Sequence, residues 1–161
     1  MNMRVAGGLS VAVLVVLAAT AHAQSATQTV TFQVNAVNQL AVTGSPSLTI
    51  TTAVAGNAPT QVNANANTWA VTTNQTGAKV TASIAAAMPP GVTLSARMFP
   101  PAAATSTGMR PLGVAAVDLV TGITKLNQSG MQLRYRLNAT SAAGVIASDT
   151  RVVTFTITGG V

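Results

Sequence analysis

Few side chains in this chain could perform acid–base or nucleophilic chemistry. Asp118 and Asp149 are its two carboxylates, and beyond Ala23 it contains no His, Cys or Glu. That composition removes the usual general base, the thiol nucleophile, the common zinc ligands and any Ser-His-Asp arrangement. Two carboxylates are the minimum set for cleaving a glycosidic bond. Asp118 and Asp149 stand in separate, loop-like contexts, however, and nothing in the sequence brings them together, so both read as solvated loop aspartates. A calcium site draws on several carboxylates and carbonyls, often tightly spaced, and no such cluster is present. Lys79 and Lys125 lack the base or phosphate loop that would make either a working nucleophile or phosphate ligand. The sequence therefore nominates no catalytic, cofactor-binding or metal-ligating residue. The expectation is a protein that is not an enzyme and needs no cofactor.

Binding chemistry is equally sparse. Sugar recognition usually uses aromatic platforms, and outside the phenylalanines the chain offers Trp69 and Tyr135. Both fall at inward phases of strand-like runs, where aromatics pack cores. The triplets Asn74-Gln75-Thr76, Asn127-Gln128-Ser129 and Asn138-Ala139-Thr140 match glycosylation acceptors, a short motif common by chance. The net charge is +6. A basic balance suits nucleic acid, an anionic polysaccharide or a membrane surface. Lys79, Arg97, Arg110, Lys125, Arg134, Arg136 and Arg151 are scattered singly along the chain, without the dense basic stripe and stacking aromatics of a nucleic-acid binder. A weakly basic surface on a poorly charged protein, with no nucleic-acid partner, is the expectation.

The elements that must position these residues read as strands. The run Met131-Gln132-Leu133-Arg134-Tyr135-Arg136-Leu137 and the run Arg151-Val152-Val153-Thr154-Phe155-Thr156-Ile157-Thr158 alternate apolar with polar, the period of a strand with one buried face. They are expected to pair as a central antiparallel hairpin, with a weakly patterned connection over residues 138–150. Residues 27–35 alternate with Val30, Phe32 and Val34 inward, and short strands are expected at 37–42 and 48–51. Residues 53–67, rich in Ala and Asn, read as a long loop. Residues 68–73 and 79–84 flank Asn74-Gln75-Thr76-Gly77, and a glycine able to take positive φ makes that the best local hairpin signal. A strand follows at 92–98 and a loop at 100–111. Residues 112–120 suit a strand or one helical turn, with a turn or strand end at 121–124. Roughly eight or nine short, Thr- and Val-rich strands with turn signals between them predict an all-β fold, an antiparallel β-sandwich or else a barrel. The expected core includes Val30, Phe32, Val34, Trp69, Val71, Val80, Ile84, Leu94, Leu133, Tyr135, Leu137, Val153, Phe155 and Ile157.

The beginning of the chain has the form of an export signal. Arg4 precedes the apolar run Val11-Ala12-Val13-Leu14-Val15-Val16-Leu17-Ala18-Ala19, and Ala21-His22-Ala23 has the small-x-small form of a cleavage site. The run is shorter than the roughly 20 residues a membrane span requires. The expected organisation is a cleaved signal peptide over 1–23 and a single β-sandwich domain over 24–161, with no transmembrane segment in the mature chain. Export would permit disulfides, yet the chain has no cysteine, so packing and sheet hydrogen bonds must stabilise it.

Three stretches carry a family resemblance. They are Thr27-Gln28-Thr29-Val30-Thr31-Phe32-Gln33-Val34, Pro89-Pro90-Gly91-Val92-Thr93-Leu94, and the run from Arg151 to Thr158. In them the chain resembles a group of small exported bacterial β-sandwich proteins and is loosely similar to fimbrial and spore-coat-U-like pilin subunits. The lack of cysteine departs from the disulfide that many chaperone-usher pilins carry. The resemblance implies an immunoglobulin-like or pilin-like sandwich and a structural role in the periplasm, at the cell surface or outside the cell. That role is a subunit of a fibre, coat or matrix, associating with itself or with another envelope protein by strand pairing. The terminal segment 24–35, alternating and free of charge and proline, is the strand best suited to pair with a neighbour, the alternative being that it pairs within its own sheet as a first edge strand. The alternative is an exported binding module for glycan or another envelope component, working through loops such as 53–67 and 100–111.

Overall fold

Alternation of β-branched and polar residues yields nine strands, seen in a computed structural model that describes residues 23–160. The export-signal reading lies almost wholly outside the described residues. In chain order the strands are β1 (Asn38–Thr43), β2 (Val62–Thr73), β3 (Ala78–Ile84), β4 (Val92–Met98), β5 (Thr105–Ser106), β6 (Arg110–Pro111), β7 (Val117–Ile123), β8 (Leu126–Ala139) and β9 (Val153–Thr158). A single 3-10 turn, Ser141–Ala143, follows β8. No helix of the described residues is long and apolar enough to cross a membrane.

The strands form two antiparallel sheets, one of them curled into a half-barrel. The five-stranded sheet runs β1-β2-β8-β4-β6, and the four-stranded sheet runs β5-β7-β3-β9. The long β8 is the centre of the larger sheet, with β2 on one side and β4 on the other. Its inward residues Met131, Leu133 and Tyr135 are buried, while Gln132, Arg134 and Arg136 occupy the other face. One apolar core joins Trp69, Val71, Met98, Leu133 and Tyr135 of this sheet with Val80, Ile84, Leu119 and Ile123 of the other. Trp69 keeps its polar atom satisfied, since its indole N–H donates to the Phe99 carbonyl at 3.1 Å. A buried tryptophan needs such a partner.

Both expected hairpins are absent, for one physical reason. Period two tells which face of a strand is buried but not which strand lies beside it. The runs 131–137 and 151–158 belong to different sheets: β8 pairs with β2 and β4, whereas β9 pairs with β3. Likewise β2 and β3 belong to different sheets, so Asn74-Gln75-Thr76-Gly77 is a corner between sheets. Gly77 takes the expected positive φ, +76°. A second corner, Thr124 and Lys125 between β7 and β8, clasps it. Lys125 N–H donates to the Gln75 carbonyl at 3.0 Å, and Gly77 N–H donates to Thr124 Oγ1 at 3.1 Å.

Other expectations shift in extent. Residues 48–51 form no strand, although Leu48 packs against the core. The stretch 53–67 is not all loop, because β2 begins at Val62 and runs through the Ala-Asn alternation. Residues 100–111 contain the two-residue strands β5 and β6. Of the ambiguous 112–120 region, residues 117–120 are the start of β7, which continues to Ile123, and residues 112–116 form neither strand nor helix. Residues 27–35 form no strand, and Val30, Phe32 and Val34 are 72, 87 and 80 % exposed instead of joining the core. The chain divides into two compact units, the larger of which begins at Val34. Leu137, Val153, Phe155 and Ile157 pack against the core but are only partly buried.

Candidate functional site

Each carboxylate is occupied by its own cation. Asp118 lies on β7, not in a loop, and forms an ion pair with Lys79 of β3 at 3.1 Å. Asp149 pairs with Arg151 at 2.6 Å and accepts from the Thr150 N–H at 2.7 Å. The Arg151 hydrogen bond, reinforced by that backbone donor, holds the Asp149 carboxyl below its ordinary pKa. Nothing joins the two aspartates into an acid–base pair. Tyr135 is 5 % exposed, and burial pushes its phenol up to about 12. An open depression of about 500 Å³ is lined by Val34, Val37, Thr72, Thr73, Asn74, Lys125, Leu126 and Asn127. Lys125 is its one titratable side chain, so it gathers no catalytic groups.

The sheet margins are more informative. A sheet edge exposes a row of unpaired N–H and C=O groups and is usually blunted by shortness, charge or proline. Two of the four edges here are blunted: β5 and β6 have two residues each, and β6 contains Pro111. The other two are not. Among the described residues β1 pairs with β2 alone and β9 with β3 alone. Each is six residues long, NQLAVT and VTFTIT, without charge or proline. Parts of β1 and β9 come near each other without pairing. On β9, Val153, Phe155 and Ile157 turn toward the core and are half-covered, while Thr154, Thr156 and Thr158 are exposed.

A second feature escaped the sequence reading. The cations are not all scattered: Arg97 of β4 is directly opposite Arg134 of β8, with both guanidinium groups over the Phe99 ring. Their outward phase was visible in the alternation of the two runs. That the runs are neighbours, with these two residues in register, was not. The chain matches no family model, no curated protein and no solved structure.

Proposed function

We propose that this chain is a non-enzymatic exported subunit of a surface fibre, coat or matrix, built on a pilin-like antiparallel β-sandwich. Subunits join by strand addition: residues 24–35 of one copy lie along the β9 edge of the next. One observation carries the reading. An uncharged, proline-free edge ends the four-stranded sheet, and the same chain bears an exposed alternating row, Val30, Phe32 and Val34. Each half has what the other lacks. The edge supplies unpaired main-chain groups and half-covered apolar side chains, while the terminal row supplies apolar side chains at the spacing of a strand. Main-chain hydrogen bonds would give affinity, and the alternating apolar side chains would set the register. Soluble monomers seldom leave such an edge and such a row uncovered, because both promote association.

The test is electron microscopy of the purified protein beginning at Gln24, with a denaturing gel of boiled and unboiled samples. Filaments or sheets, and a ladder that collapses to one band on boiling, are the expected result. A single monomer band in both lanes with no assembled material would transfer the role to a monomeric binding module.

A further inference from the structure

The outer face of the five-stranded sheet holds a basic cluster with no acid to balance it. Arg97 and Arg134 are cross-strand partners. Like charges placed directly opposite each other repel. Arg136, two residues along β8, extends the row and is directly opposite Ser95; at about 3.4 Å per residue it lies roughly 7 Å from Arg134. The chain has two carboxylates, and both are engaged elsewhere, Asp118 with Lys79 and Asp149 with Arg151. Something other than a carboxylate side chain must answer this cluster.

The arginines are held in place. The Arg97 guanidinium carbon sits 4.4 Å from the Phe99 ring centroid and that of Arg134 sits 5.4 Å away. The Phe99 backbone is held in place, since its N–H donates to the Gln132 carbonyl at 2.9 Å and its carbonyl accepts from the Trp69 indole. Stacking on an aromatic face restrains a guanidinium and leaves its donor edges available. The Nε atoms of Arg97 and Arg134 are both buried and have no hydrogen-bond partner. Buried donors without partners are costly, and those on a cation more so. These buried Nε atoms are out of reach of a ligand, and Arg134 Nη2 donates to Gln132 Oε1 at 3.5 Å. The terminal nitrogens of two guanidinium groups side by side match an oxyanion that has several acceptor oxygens.

We infer that Arg97, Arg134 and Arg136 form a binding site for the oxyanion groups of an acidic polysaccharide. The surroundings favour that class of polymer. Amide side chains flank the arginines: Asn63 accepts from Arg136 Nε at 3.1 Å, and Gln132 donates to the Asn65 carbonyl at 3.2 Å. Such groups suit the hydroxyls between successive charges. None of the large exposed apolar residues lies on β4 or β8, so this face has nothing to insert into a bilayer. Phe99 is already capped by arginine, and Trp69 and Tyr135 are buried, so bases of a nucleic acid would find no platform. The site lies on the face of the larger sheet, apart from β9, and stands or falls independently of assembly.

The experiment measures binding of fluorescent dextran sulfate to the protein from Gln24 onward, with neutral dextran and phosphatidylglycerol vesicles as the other arms. Dextran sulfate should bind and neutral dextran should not. Affinity should fall about tenfold or more between 50 and 200 mM salt, as expected when roughly three phosphate-like charges are met. The double variant Arg97→Gln/Arg134→Gln should lose at least tenfold in affinity. Lys79→Gln/Lys125→Gln, with the same net charge, should lose less than threefold. Arg134→Lys keeps the charge, removes the fork and should weaken binding several-fold. Equal losses in the two double variants, an unaffected Arg134→Lys, or tighter binding to vesicles than to dextran sulfate would each overturn the inference.

Discussion

Single residues divide sharply into those sealed between the sheets and those at the open edges. Leu133 is 0 % exposed at the middle of β8. Leu133→Ala should destabilise by about 2–5 kcal/mol in urea unfolding, the range for emptying an enclosed apolar site. Phe155 is only partly buried. Phe155→Ala should therefore cost the monomer less, about 1–3 kcal/mol, because its site is half-open already. A loss equal to that of Leu133→Ala would mean that the β9 face is closed in solution. Tyr135 sets an alkaline limit. Burial pushes its phenol up to about 12 in the folded protein, from the ordinary 10.0 of a free tyrosine. The folded state thus binds the proton more tightly. The contribution of this phenol to stability is whole below pH 10 and drains away as pH rises from 10 to 12. Allowing for solvent screening of a partly accessible phenol, the fall is on the order of 1–2 kcal/mol. Chemical denaturation at pH 9, 10 and 11 should show the decline, and Tyr135→Phe should flatten it.

At the scale of elements, turns and corners decide the topology. Gly91, just before β4, adopts φ +77°, and a Cβ there would meet Thr140 Oγ1 and the Ala143 backbone at 2.8–3.0 Å. The chain leaving β8 is fastened at this point, where Thr140 N–H donates to the Gly91 carbonyl at 2.8 Å. Gly91→Ala should cost about 1–3 kcal/mol through backbone strain and displacement of that contact, measured as a fall in thermal midpoint. Much of β4, the second half of β2 and the inward face of β8 could be read directly from alternation, because a half-buried strand must alternate. Trp69 and Tyr135 were likewise readable as core from their phase. The partners of β8 and β9 were not readable, since the connection between them crosses from one sheet to the other and local sequence does not encode that crossing. Val30, Phe32 and Val34 show the converse: a row patterned like a buried strand is exposed. The arginine cluster was invisible for a further reason. Arg97 and Arg134 come together through the β4–β8 register, a pairing between segments distant in sequence.

Among the described residues the molecule has a sealed centre, two blunted edges and two open ones, and in the full sequence cations outnumber acids. The two carboxylates are held by different cations, and the described residues contain no group of three metal-ligating side chains. Chelation should consequently leave the thermal midpoint within about 1 °C, whereas a drop of many degrees would reveal a structural ion. Assembly is the larger question, and the chain itself supplies the means to isolate it. The larger of two compact units begins at Val34, so removal of residues 24–33 deletes most of the apolar row and leaves the residues of that unit in place. Sedimentation velocity over a range of concentrations, comparing the protein from Gln24 with the truncated form, measures the claim most directly. The account predicts polymers for the longer chain. It predicts monomers for the shorter one, which should take up a labelled peptide of residues 24–35. A longer chain that stays strictly monomeric at high concentration, or a truncated chain that ignores the peptide, would contradict it.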